Sequence, residues 1–168
     1  DAKFDPGTKL TLFTLAVDQN GAYGPVTVKE FALRKIEYNS DLDVTLEVAT
    51  NEPNNLVVNV SSKTAGVEYV YWVGKTSESF WTGGSNLGGT EAKASKFMFL
   101  NPDNSRFTQM ASRYPVIDGK IVFDDLSLKT DYVLVVMARK MIGSEMSCSS
   151  AKTLRFTTKS MALGTIVT

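Results

Sequence analysis

Eight runs of alternating or β-branched residues, each closed by a turn cluster, run through this chain and restrict it to layers of strands. "LTLFTLAV" (10–17) and "VTVKEFAL" (26–33) flank the turn cluster "DQNGAYGP". "VTLEVAT" (44–50), "NLVVNVSS" (55–62) and "VEYVYWVG" (67–74) follow, separated only by "NEPNN" and "KTAG". "GKIVFDDL" (119–126), "DYVLVVMARK" (131–140) and "AKTLRFTT" (151–158) complete the set. Connections this short join antiparallel neighbours, whereas parallel pairs need a long crossover. The expectation is an all-β antiparallel sandwich, not a βαβ fold.

One stretch breaks the strand rhythm. In "TEAKASKFMFLNP", Thr90 can cap a helix that Asn101 and Pro102 end. In "DNSRFTQMASRYP", Asp103 sits at a cap position and Pro115 at the stop. Phe107, Met110, Ala111 and Tyr114 fall at i, i+3, i+4 and i+7, one helical stripe. A short helical insert around residues 90–114 is expected, although "SKFMFL" also fits a strand by periodicity. The preceding "TGGSNLGG" reads as a flexible connector.

Residue usage removes whole classes of chemistry. The chain has no histidine, which excludes a histidine base and a Ser-His-Asp triad, and removes the commonest ligand for zinc, copper or iron. A single cysteine, Cys148, excludes an internal disulfide and a site of several thiolates, and reads as a small buried apolar residue. Lys plus Arg equals Asp plus Glu, 18 each, so no field draws in nucleic acid or an anionic surface. No run of 18 apolar residues is present, and no transmembrane segment is expected. Asp124 and Asp125 are adjacent on a strand and point to opposite faces, so they are not a convergent acid–base pair. They and Asp41 and Asp43 read as solvated turn charges, not a calcium site. Gly83-Gly84 and Gly88-Gly89 lack the lysine and spacing of a phosphate loop. No cofactor is expected.

The chain also repeats itself. "TDYVLVVMARKMIG" (130–143) lies over "TKLTLFTLAVDQNG" (8–21) without a gap, at an offset of 122 residues. Thr130 matches Thr8, Tyr132 matches Leu10, Leu134 matches Leu12, Ala138 matches Ala16 and Gly143 matches Gly21. Past the turn the copies diverge by three residues, then realign at Phe31 and Phe156. Residues 1–34 are therefore expected to be the C-terminal hairpin of a preceding sandwich repeat and 35–43 a linker. Residues 44–158 would be a complete domain and 159–168 a tail or linker, all cut from a tandem array. An orphan hairpin exposes an apolar face and an open edge, so it should dock on the complete domain or form a dimer with another chain.

The closing segment "LSLKTDYVLVVMARKMIGSEMSCSSAKTLRFTT" resembles that of fibronectin type III domains. It has a leucine, a Thr-x-Tyr, an alternating strand, a Gly-containing turn and a final Phe-Thr-Thr. The resemblance implies an immunoglobulin-like sandwich in which the Tyr132 hydroxyl bonds back to upstream backbone as a tyrosine corner. Leu10, at the matching position of the first copy, cannot make that bond. The helical insert before "GKIVF" is similar to variants in surface proteins of Bacteroidetes. By resemblance the chain is then an extracellular, cell-surface or periplasmic module for adhesion, spacing or ligand binding.

Aromatic residues are the candidate ligand-binding site. "VEYVYWVG" puts Val67, Tyr69, Tyr71 and Val73 on one face and Glu68, Val70 and Trp72 on the other. One face is core, so the other shows a large ring unless the insert covers it. "SESFWTGG" sets Phe80 and Trp81 on a Gly-rich loop. These rings either pack beneath the insert or, with Tyr71 and Trp72, stand exposed to stack on a glycan or a partner protein. "RKMIGSEM" (139–146) forms an apolar hairpin tip able to touch a partner or a neighbouring domain. The expectation is a non-enzymatic spacer or protein-interaction module of a larger surface or secreted bacterial protein. The alternatives are a carbohydrate-binding module and an accessory domain of a glycosidase or peptidase.

Overall fold

A computed structural model of the chain describes residues 4–33 and 35–161, which fall into two compact units, residues 1–37 and 38–168. The tail residues 162–168 lie outside the described residues.

The first unit is one antiparallel hairpin, β1 (Lys9–Val17) and β2 (Tyr23–Ala32). The Asp18 carboxylate accepts from the backbone N–H of Asn20 and Ala22, and Gly21 takes the positive φ the turn requires. The register slips by one residue between Leu15 and Val17, opposite Gly24-Pro25. Proline has no N–H to give to a ladder, so a bulge is where a strand tolerates it.

The second unit begins six residues before the expected domain start. The N–H of Asn39 donates to the Cys148 carbonyl, and a 3-10 turn, Ser40–Leu42, places Leu42 in the core. There follow β3 (Val44–Glu52), β4 (Asn55–Ser62) and β5 (Glu68–Lys75). Three helices come next, α1 (Ser79–Thr82), α2 (Glu91–Leu100) and α3 (Ser105–Arg113). β6 (Lys120–Phe123), β7 (Asp131–Ile142), β8 (Glu145–Cys148) and β9 (Lys152–Thr157) close the unit. All eight expected runs form strands, and β8 is additional.

The strands make two antiparallel sheets, so the all-β sandwich stands. One has the order β3-β4-β6. In the other, β7 is central, with β5 on one side and β9 and β8 successively on the other. The sheets enclose a core that includes Leu56, Val58, Tyr71, Ile121, Phe123 and Leu134. A second core, built on Val70, Trp72, Val133, Val135 and Met137, lies between the β5–β7 sheet and the helices. β7 is thus buried on both faces, which is why Tyr132–Ala138 reads as an unbroken apolar run where a half-buried strand alternates.

The helices are pinned by side chains that do two jobs. Thr90 caps α2 as expected, accepting from the Lys93 N–H. Glu91 accepts from Thr153, and Ser95 Oγ accepts the Ala151 N–H at 2.8 Å, tying α2 to the approach and start of β9. The segment "SKFMFL" is helical here. The cap of α3 is Asn104, whose side chain accepts the Arg106 N–H, while the expected cap Asp103 pairs with Arg139. Of the α3 stripe, Phe107, Met110 and Tyr114 turn inward and Ala111 is exposed.

Candidate functional site

The four rings singled out from the sequence are interior. Tyr71 is 1% exposed and Trp72 2%, on opposite faces of β5, and Phe80 is 4% and Trp81 3% exposed. Stacking on a sugar needs an open ring face, so these residues form no such platform. Phe80 and Trp81 sit on the helical turn α1, not on a loop. Phe80 meets Trp72, Phe97 and Phe107 edge-on, with centroids 5.4–6.1 Å apart, and Arg106 lies over its ring at 4.6 Å. Arg155 covers Trp81 at 5.5 Å. Each buried ring of this size is worth roughly 1.5–3 kcal/mol of transfer free energy.

Local chemistry explains this placement. Glu78 accepts the Lys75 N–H at 3.0 Å, turning the chain out of β5 and into α1. The following glycine-rich segment is packed, not a flexible connector. Leu87 is fully buried and donates its N–H to the Phe80 carbonyl, and the Gly89 N–H donates to that of Trp81. Gly88 and Gly89 both adopt positive φ, the conformation that lets the chain fold back so tightly.

The polar groups that converge do so to hold the fold. Tyr71 donates its hydroxyl to the Tyr114 carbonyl, and burial pushes its pKa up to about 12. Ser127 donates its N–H to the Tyr132 hydroxyl at 3.0 Å, the upstream backbone bond expected of this tyrosine. Asp125 accepts from the Tyr114 hydroxyl and the Arg113 guanidinium, closing the end of α3 onto the segment after β6. The Tyr114 hydrogen bond, reinforced by Arg113, holds the Asp125 carboxyl below the ordinary carboxylate range. Asp125 is therefore a fastening as well as a turn charge, and no spacing rule along the chain announces it. Burial raises the Cys148 thiol, which stays protonated as a small core residue. Among the described residues, no three His, Cys, Asp or Glu side chains are grouped to hold a metal.

What the unit does present outward is the tip of the β7–β8 hairpin. Met141 faces Met146 across it and Ile142 faces Glu145, with Gly143 at positive φ in the turn. Met141, Ile142 and Met146 are 53, 52 and 46% exposed. The base of the tip is fixed. Arg139 makes a bidentate pair with Glu68 at 2.9 and 3.0 Å and reaches Asp103, and Lys140 donates to the Ala65 carbonyl at 2.7 Å. Arg139 and Lys140 flank the tip on β7. The structure shows them spent on anchoring it, which only the β5–β7 register reveals.

No protein-family model matches the chain, and no curated protein matches it.

Proposed function

We propose that the chain carries a non-enzymatic β-sandwich module of a larger cell-surface or secreted bacterial protein, serving as a spacer and protein-interaction domain. The observation that carries this reading is the β7–β8 tip, three exposed apolar side chains on an anchored hairpin. Three exposed apolar side chains, Met141, Ile142 and Met146, gathered on one hairpin tip fit a surface that another surface covers. Methionine is adaptable and enriched where proteins meet, and a fixed base lowers the entropy lost on docking.

The surface location and the fibronectin type III kinship rest on resemblance. Supporting the kinship are the three- and four-stranded sheets and the Tyr132–Ser127 bond, while the helical segment between β5 and β6 departs from a plain domain, which carries short strands there.

A photo-crosslinking residue at position 142 of the parent protein, expressed in its source cell, tests the reading. It should form adducts with one neighbouring domain or one surface protein. Labelling no stronger than from exposed Val122 on β6 would overturn the assignment.

A further inference from the structure

The hairpin of the first unit and the β7–β8–β9 hairpin of the second share one register. With offsets of 122 on the first strand and 125 on the second, Leu10↔Phe31 lands on Tyr132↔Phe156 and Thr14↔Thr27 lands on Val136↔Lys152. A regular ladder turns one coincident pair into many, so the weight rests on two independent facts. The offsets are those that align the residues themselves. The one-residue slip also falls at the same place in both, since Val17↔Tyr23 lands on Arg139↔Cys148 across Ala16 and Ala138.

The correspondence says what each side of the first hairpin is made to meet. In the second unit, Tyr132, Leu134 and Phe156 face the opposing sheet, while Val133, Val135 and Cys148 face the core beneath the helices. β5 pairs along the remaining edge of β7. The matching positions of the first hairpin are apolar except Thr11, which stands where Val133 does. Leu12 and Phe31 lie on one face, Phe13 and Tyr23 on the other, and Phe13 is 66% and Tyr23 74% exposed. Among the described residues the sheet of the first unit has two strands, so no described strand pairs along the edge of β1 where β7 has β5.

We infer that β1–β2 is a strand acceptor, the closing hairpin of another sandwich of the same build, whose β5-like strand adds antiparallel along Leu10–Val17. The occupant is the stretch of the same polypeptide that precedes Asp1, roughly 90 residues if it matches the Tyr38–Thr130 segment of the second unit. Its opposing sheet covers the Leu12 face and its helices cover the Phe13 face. This inference stands apart from the role of the β7–β8 tip.

The test compares the 168-residue chain with the polypeptide as its cell makes it, by amide hydrogen exchange over residues 9–17 and 131–136. In the longer polypeptide residues 9–17 should slow by at least about 100-fold, toward the protection of β7, which is unchanged in both. Phe13→Asp in the longer polypeptide should abolish one of two thermal transitions and leave the one it shares with the 168-residue chain. Equal exchange in both forms would overturn the inference, as would a source polypeptide with nothing ahead of Asp1. A dimer of the 168-residue chain that protects β1 equally well would assign the edge to a second copy instead, and would also overturn it.

Discussion

Gly74 vacates the space that the Trp72 ring fills. A Cβ built on Gly74 would stand 2.1 Å from Trp72 Cζ2, far inside van der Waals contact. The two residues are two apart on β5 and share the face beneath the helices, so the indole lies forward along its own strand, over Gly74. A side chain at position 74 requires the Trp72 ring to move.

Gly74→Ala should therefore destabilise the second unit by about 1–3 kcal/mol, the usual range for forcing carbon into a filled core. The melting temperature should fall by several degrees, with a changed near-ultraviolet dichroism from the displaced indole. An unchanged melting temperature would mean that Trp72 does not occupy that space.

Trp81→Ala should behave as a core truncation and not as the loss of a ligand contact. Removing a buried indole of this kind costs about 3–5 kcal/mol. Urea denaturation should show a lower midpoint, and titration with oligosaccharides should show no binding before or after the change. Saturable sugar binding lost in the variant would restore the platform reading.

Tyr132→Phe isolates the corner bond, because the ring can keep its stack on Phe156, 5.8 Å away and 15° from parallel. Losing the acceptor of the Ser127 N–H should cost about 1 kcal/mol. A stability equal to wild type would show that water replaces the hydroxyl without loss.

The Asp125 fastening gives a signed pH dependence. Its folded pKa is depressed, chiefly by the Tyr114 hydrogen bond. The associated stability is fully present above the unfolded value of about 3.9 and is lost as pH falls through the lower folded value. Asp125→Asn should flatten the acid limb of a stability-against-pH curve, with little change in its slope near neutrality. Because Arg113 and Asp125 are substantially exposed, added salt should shrink the effect. An acid limb identical in wild type and variant would remove Asp125 from the account.

The strands and the helical insert were legible because period-2 and period-3.6 patterns, caps and turn residues are local. The β5 faces were assigned correctly from alternation alone. Alternation could not say that both faces are covered, because that depends on where α1–α3 dock. Phe80 and Trp81 looked like loop residues because Gly83-Gly84 follow directly, and a single helical turn has no period to read. The grip of Asp125 on Arg113 and Tyr114 and that of Arg139 on Glu68 follow from tertiary approach and strand register, for which the chain holds no local signal. The offset of 122 residues between the two hairpins was legible as spacing, and the register they share at Ala16 and Ala138 needed the strand pairing.

Trp72 and Trp81 are the only two tryptophans, so acrylamide quenching of intrinsic fluorescence tests most directly whether the aromatic residues are core and not a binding platform. The account requires blue-shifted emission, weak quenching in the native protein and strong quenching only after denaturation. Red-shifted native emission with a readily quenched component would place a tryptophan at the surface and contradict it.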